Sequence, residues 1–144
     1  MDEAGRGRKF CAYIDGASRG NPGEAGAGIV IINSHDEVMR EDARYLGLAT
    51  NNVAEYSGLI LALEHLVEME AEEITIFSDS QLLANQLNRL YRVSDEKLKE
   101  LFHKAIELMK QFQQVSVYHI PREQNMRADR LANLAIDRMS KPIG

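Results

Sequence analysis

The hydrophobic period of this chain changes near residue 50, and no other feature narrows its possible folds so far. Before that point the spacing is two. From Lys9, the residues Phe10, Ala12 and Ile14 alternate with Cys11, Tyr13 and Asp15. Residues 27–33 (AGIVIIN) are rich in β-branched side chains, and Val38 to Leu46 carries its charges on one face. Such segments read as strands. Gly16 to Gly26 (GASRGNPGEAG) reads as a loop, and 34–37 (SHDE) as a turn. After residue 50 the spacing is helical: Val53, Tyr56, Ile60, Leu63 and Val67 recur at alternating steps of three and four, with cap candidates from Thr50 to Asn52. Glu73 to Ser78 is a short apolar strand. Asp79 or Ser80 caps a helix over 81–91, and Ser94 caps another with Asp95 and Glu96 in its first turn, where the helix dipole favours acids. Leu98, Leu101, Phe102, Ala105, Leu108, Met109 and Phe112 form that helix's buried stripe. Val115 to Ile120 is a last strand, stopped by Pro121, and Ala128, Leu131, Ala132, Ala135 and Met139 mark a final helix.

The order β-β-β-α-β-α-α-β-α implies an α/β fold. Three strands with short links form an antiparallel meander, and strands separated by helices pair in parallel through right-handed crossovers. The expected architecture is a mixed five-stranded sheet with helices on both faces, in a single domain over 9–140 between loose tails at 1–8 and 141–144. Function in such sheets collects at the carboxyl ends of the parallel strands.

Seventeen Lys and Arg against 22 Asp and Glu leave a net charge of −5, which argues against a general polyanion binder. A nucleic-acid partner would have to be met through local basic patches or bound metal. The single cysteine excludes an intrachain disulfide and a Cys-rich zinc site. No apolar run could cross a bilayer and the start lacks a signal-peptide core, so the expected compartment is the cytoplasm.

Four acids are placed unlike the rest. Asp15 closes the first strand and Asp79 follows the fourth; if those strands are parallel neighbours, the two carboxylates meet at one edge. Glu55 heads a helical row through Leu59, Ala62 and Leu66, and Asp129 heads another through Ala132 and Ile136. Singly, each has an ordinary explanation as a cap, a dipole partner, an ion pair or a turn residue. Together they fall at one end of the sheet. Four neighbouring carboxylates need a cation, because like charges raise one another's pKa. Mg²⁺, an oxygen-seeking ion that shares its sites with phosphate, meets that need. Two such ions roughly 4 Å apart can clamp the attacking and leaving oxygens of a phosphodiester.

The runs Tyr13-Ile14-Asp15-Gly16, Gly20-Asn21-Pro22-Gly23, Thr50-Asn51-Asn52-Val53-Ala54-Glu55, Ser78-Asp79-Ser80-Gln81 and Ala128-Asp129-Arg130-Leu131-Ala132 resemble ribonuclease H of type 1, in order and across nearly the whole domain. The resemblance implies a ribonuclease H-like fold and a metal-dependent endonuclease that cuts the RNA strand of RNA/DNA hybrids, leaving 5′-phosphate and 3′-hydroxyl ends. It implies two Mg²⁺ ions, with Mn²⁺ able to substitute, held by Asp15, Glu55, Asp79 and Asp129 as catalytic residues. It also implies substrate contacts at Gly16, Asn21, Thr50, Asn51, Gln81, Arg122 and Asn125, with Thr50 holding a phosphate of the DNA strand. The expected partner is the hybrid, with no membrane and no need for more than a monomer.

The chain departs from the family in three places. Arg122 stands where many members have a histidine, in the short link IPREQNMRAD, and an arginine cannot shuttle a proton at neutral pH. The nearby His119 lies inside a strand and reads as structural. The basic, Trp-rich protrusion of many bacterial members is missing; there is no tryptophan, and Arg89, Arg92, Lys97 and Lys99 leave a modest basic patch. That shortening is expected to make hybrid binding weaker and more sensitive to salt. Leu48 stands near the place of a family arginine. Rival readings are a binding module without cleavage, another nuclease or strand-transferase of this fold, and a nucleotide-binding enzyme. The first expects a lost acid, and none is lost; the second lacks the GNPG and TNN-VAE runs; the third lacks a phosphate-binding glycine loop. An EF-hand over Asp15–Gly26 fails for want of alternate oxygen ligands.

Overall fold

Ten elements make up the fold in the computed structural model, which describes residues 8–89 and 92–140. They are β1 (Lys9–Ser18), β2 (Gly23–Asn33), β3 (Val38–Ala49), α1 (Asn51–Glu68), β4 (Glu73–Ser78), α2 (Gln81–Leu87), α3 (Glu96–Met109), β5 (Gln114–His119), a 3₁₀ turn at Arg122–Gln124, and α4 (Met126–Ser140). The strands form one sheet in the order β3-β2-β1-β4-β5. The β1–β2 and β2–β3 pairs are antiparallel, and the β1–β4 and β4–β5 pairs are parallel, as the change of period implies.

The core lies on one face of this sheet. Ala12 and Ile14 of β1, Ile29 and Ile31 of β2, and Ile74 and Ile76 of β4 turn toward α1, with Leu83 and Leu87 of α2 and Leu98 and Ala105 of α3 in the same cluster. Helix α1 is apolar on most sides because it has cover on two: the sheet beneath and α3 beyond. Leu59, Ala62 and Leu66, the row headed by Glu55, are fully buried. Thr50 caps the helix, its hydroxyl oxygen accepting from the Val53 N–H at 3.2 Å. Such a cap is worth about 1 kcal/mol.

Helix α4 covers the opposite face, over β2, β1 and β3. Gly28 admits it: a Cβ there would overlap the Ala128 carbonyl oxygen, and one on Gly26 would overlap that of Ala132. These glycines therefore belong to a strand. The loop expected over Gly16 to Gly26 shrinks to residues 19–22, because β1 runs on to Ser18 and β2 begins at Gly23. In that stretch glycine marks close approach of a helix as well as chain reversal.

Other boundaries differ in detail. The cap of α3 is Asp95, accepting from Leu98 N–H at 3.1 Å, rather than Ser94. Helix α2 stops at Leu87, closed by Asn88 and by Arg89 at a φ of 65°, short of the expected 91. His119 is exposed at the end of the edge strand rather than built into the interior. The tails expected at 1–8 and 141–144 lie outside the described residues except for Arg8, whose carbonyl accepts from the Glu72 and Glu73 N–H groups at 2.9 and 3.3 Å.

Candidate metal centre

Parallel pairing of β1 with β4 ends at Ile14 beside Ser78, so Asp15 and Asp79 follow side by side; Asp79 leaves the sheet, whereas Asp15, expected to close its strand, remains in β1 opposite Gly28 of β2. Glu55 arrives from the first turns of α1. Gly16 makes that approach possible, because a Cβ on it would overlap the Ala54 carbonyl carbon and the Glu55 nitrogen. The oxygens of Asp15, Glu55 and Asp79 lie within 4.8 Å of one another. Asp129 joins them from the first turn of α4, at the wall of a cavity of about 350 Å³ that all four acids share. The four carboxylates singled out in the sequence therefore converge.

Electrostatics makes the cluster costly without a cation. Asp15, only 4% exposed, has its pKa pushed up to about 8, first by burial, then by the charge of Asp79, and then by a hydrogen bond and charge from Asp129. Glu55 is raised well above the ordinary range by burial, then by the charges of Asp15 and Asp79. The Gly16 backbone N–H favours both ionised forms and offsets part of this. Glu55 Oε1 is buried and lacks a hydrogen-bond partner among the described residues. An oxygen-only donor set with crowded negative charge and a buried oxygen left bare fits hard divalent cations.

The polar surroundings fall into two groups. Around the start of α1, the amide oxygens of two asparagines are spent on backbone donors: Asn21 Oδ1 accepts from Asn51 N–H and Asn51 Oδ1 from Ser18 N–H, both at 3.1 Å. Their side-chain NH₂ groups remain free to donate outward. The Thr50 hydroxyl accepts the cap bond and keeps its own proton to donate. Gln81 opens α2 and is exposed. Around the start of α4, Arg122 is exposed with Nη2 3.8 Å from Asp129 Oδ1. Asn125 is 1% exposed; its Nδ2 donates to the Ile14 carbonyl at 2.8 Å and lies 3.4 Å from Asp79 Oδ2. It ties the entry of α4 to the last rung between β1 and β4, and at 1% exposure it has no open face for a duplex.

Four lining residues, Ala17, Ser18, Arg19 and Asn133, were not singled out in the sequence. Asn133 had a legible signal, four residues beyond Asp129 on the same helical face. Arg19 had none, because it meets α4 only through the tertiary fold.

A family described as reverse transcriptase-like matches residues 13–135. A Halobacterium salinarum protein named Ribonuclease HI is 42% identical over 132 residues, which are 92% of this chain and 66% of that protein. Among solved structures, the N-terminal ribonuclease H domain of a Mycobacterium tuberculosis protein, fused to maltose-binding protein, superposes with a TM-score of 0.89 at 40% identity, covering 91% of this chain and 95% of that one. LC11-RNase H1 in complex with an RNA/DNA hybrid gives 0.88 at 39% identity, covering 92% and 99%. The chain thus spans just under two thirds of the archaeal relative, and 36% of a mycobacterial relative named as bifunctional.

Proposed function

The chain belongs to the type 1 ribonuclease H family, and from that premise we propose that it is an endonuclease that hydrolyses the RNA strand of RNA/DNA hybrids, leaving 5′-phosphate and 3′-hydroxyl ends. The observation that carries the reading is the convergence of Asp15, Glu55, Asp79 and Asp129 around one cavity where the β1–β4 ladder ends. These four residues would hold two Mg²⁺ ions, with Mn²⁺ able to substitute. When bound, the ions supply charge neutralisation and Lewis acidity at the attacking and leaving oxygens of the scissile phosphodiester.

The protein's own groups account for choice of substrate. The outward NH₂ groups of Asn21 and Asn51 suit the acceptors of a minor groove and the oxygen of a ribose 2′-hydroxyl, the group that separates RNA from DNA. Gln81 extends this polar row from α2. The Thr50 hydroxyl, at the positive end of α1, suits a phosphate oxygen of the DNA strand. Arg122, exposed beside Asp129, suits a phosphate of the substrate or product. Gly16 lets Glu55 reach the cluster and turns its N–H toward the carboxylates. Asn125 acts indirectly, by fixing the strand ends that carry Asp15 and Asp79.

We read the chain as a monomer in a reducing cytoplasm, in keeping with its lone, half-buried Cys11. No described helix is long and apolar enough to cross a membrane. The deciding experiment incubates the protein with labelled RNA/DNA hybrid, RNA duplex and DNA duplex, each with and without Mg²⁺. Cleavage confined to the RNA of the hybrid, and dependent on the ion, is the expected result. An intact hybrid in Mg²⁺ and in Mn²⁺ would refute the reading.

A further inference from the structure

Arg19, in the loop between β1 and β2, lines the acidic cavity yet has no part in the function derived above. Its guanidinium grips α4 with both forks. Nη1 lies 2.7 Å from Asp137 Oδ1, while Nη2 donates to the side-chain oxygen of Asn133 at 3.2 Å and to its carbonyl at 3.4 Å. The second grip decides which way the Asn133 amide faces. With its oxygen held by a cation, its NH₂ must point the other way, and there it meets Asp129: Nδ2 donates to the Asp129 carbonyl at 3.0 Å and to Oδ1 at 3.4 Å. A flipped amide would set oxygen against carboxylate and NH₂ against guanidinium, both unfavourable.

Asp129 has need of such a hold. It is not among the three acids whose oxygens crowd within 4.8 Å, and it sits half-buried on the first turn of α4. We propose that Arg19 and Asn133 are positioning residues that aim the Asp129 carboxylate at the metal site, with Arg19 acting through Asn133. This rests on the reading of the cluster as a metal centre. The Arg19–Asp137 pair is largely exposed, so it adds little to stability; its effect is on orientation. The Arg19 N–H also donates to the Glu24 carbonyl at 2.9 Å, closing the turn that presents Asn21. One loop thereby serves both the duplex-facing amides and the fourth carboxylate.

The test measures Mn²⁺ binding to the whole chain by the electron paramagnetic resonance signal of free ion, beside kcat, KM for hybrid, and the thermal midpoint. The variants are Arg19→Lys, Asn133→Ala and the two combined. Lysine can keep the ion pair with Asp137 but cannot also orient Asn133. Each single variant is expected to weaken Mn²⁺ binding on the order of tenfold and to lower kcat, with KM and the thermal midpoint close to wild type. The combined variant should be no worse than Asn133→Ala, because the two residues act in series. Wild-type metal affinity in Asn133→Ala would overturn the proposal, as would losses that add in the combined variant. If the wild-type chain binds Mn²⁺ but leaves the hybrid intact, the nuclease reading fails while the binding comparison still decides the positioning role. A wild-type chain that binds no Mn²⁺ sinks both.

Discussion

Helices α1 and α4 each deliver one acid to the same cavity, by opposite means. Helix α1 lies between the sheet and α3, and Glu55 is brought in by the close approach of α1 over Gly16, with one of its oxygens buried and bare. Helix α4 has one buried side, through Ala128, Ala132, Ala135 and Ile136, and an outer face open to solvent. Its Asp129 is flanked by Asn133 and Arg122, and these polar groups do the holding that the backbone approach over Gly16 does for Glu55. An acid fixed by enclosure is rigid but raises the energy of the fold until a cation neutralises it. An acid fixed by polar neighbours costs less and depends on more residues. A centre that must grip ions firmly and still admit a large substrate gains from having one of each.

The severest break comes at the strand ends that both helices address. Asp15→Asn or Asp79→Asn should reduce hybrid cleavage by on the order of 10³-fold, with an unchanged far-ultraviolet circular dichroism spectrum. Wild-type turnover in either variant would show that the cations, and with them the roles given to both helices, are misplaced. Next is the contact that seats α1. Gly16→Ala forces a methyl into the Ala54 carbonyl, and is expected to cost about 1–3 kcal/mol in urea unfolding and to withdraw Glu55 from the cluster.

The contrast itself is tested without metal. In chelator, Glu55→Gln should raise the thermal midpoint by at least about 3 °C, the shift that roughly 1 kcal/mol produces in a domain of this size, while Asp129→Asn should move it less. Equal shifts would erase the distinction between the two acids. Asp15 supplies the pH dependence of the same state. Between its ordinary value of 3.8 and about 8, the folded chain keeps a proton that the unfolded chain has released. The metal-free protein should therefore lose stability as pH rises through that window, and Mg²⁺ should restore it at the upper end. A flat midpoint across the window would contradict the enclosure of Asp15. The smallest effect is expected at Arg122→Ala, a loss of less than about tenfold in kcat, since the side chain is mostly exposed and 3.8 Å from its carboxylate. A loss matching that of Asp15→Asn would give the arginine a direct part in the reaction.

The sequence was most legible where one local signal was left unopposed. Glu73–Ser78 is bounded on both sides by polar residues and forms β4 with those limits. Thr50 and Ser80 are caps with helical runs directly behind them. The four acids could be found because Asp15 and Asp79 follow the last rung between β1 and β4 while Glu55 and Asp129 head apolar helical rows that are buried as expected, although β1 itself runs on past Asp15 to Ser18. Where two causes produce the same residue, local reading failed. Glycines at 16 and 26 suggest a loop on propensity and turn out to be places where a strand meets a helix backbone. Ser94 and Asp95 are both good caps, and only the start of the α3 hydrogen-bond ladder selects Asp95. Asn125 carried a motif-based expectation of substrate contact, but its burial depends on α4 folding back over distant strand ends. Arg19 is the extreme case, since every partner of its side chain lies on the last helix.

The gap that Gly26 and Gly28 leave for α4 bears on how the molecule comes into being. A ribosome threads out Asp15, Glu55 and Asp79 well before Asp129, and that last acid arrives only when the closing helix can settle over β2. A copy that lacks α4 is therefore expected to leave the RNA of a hybrid intact, which can be checked by assaying a chain ended at Asn125. On the nuclease reading, the capacity to cut awaits the docking of α4.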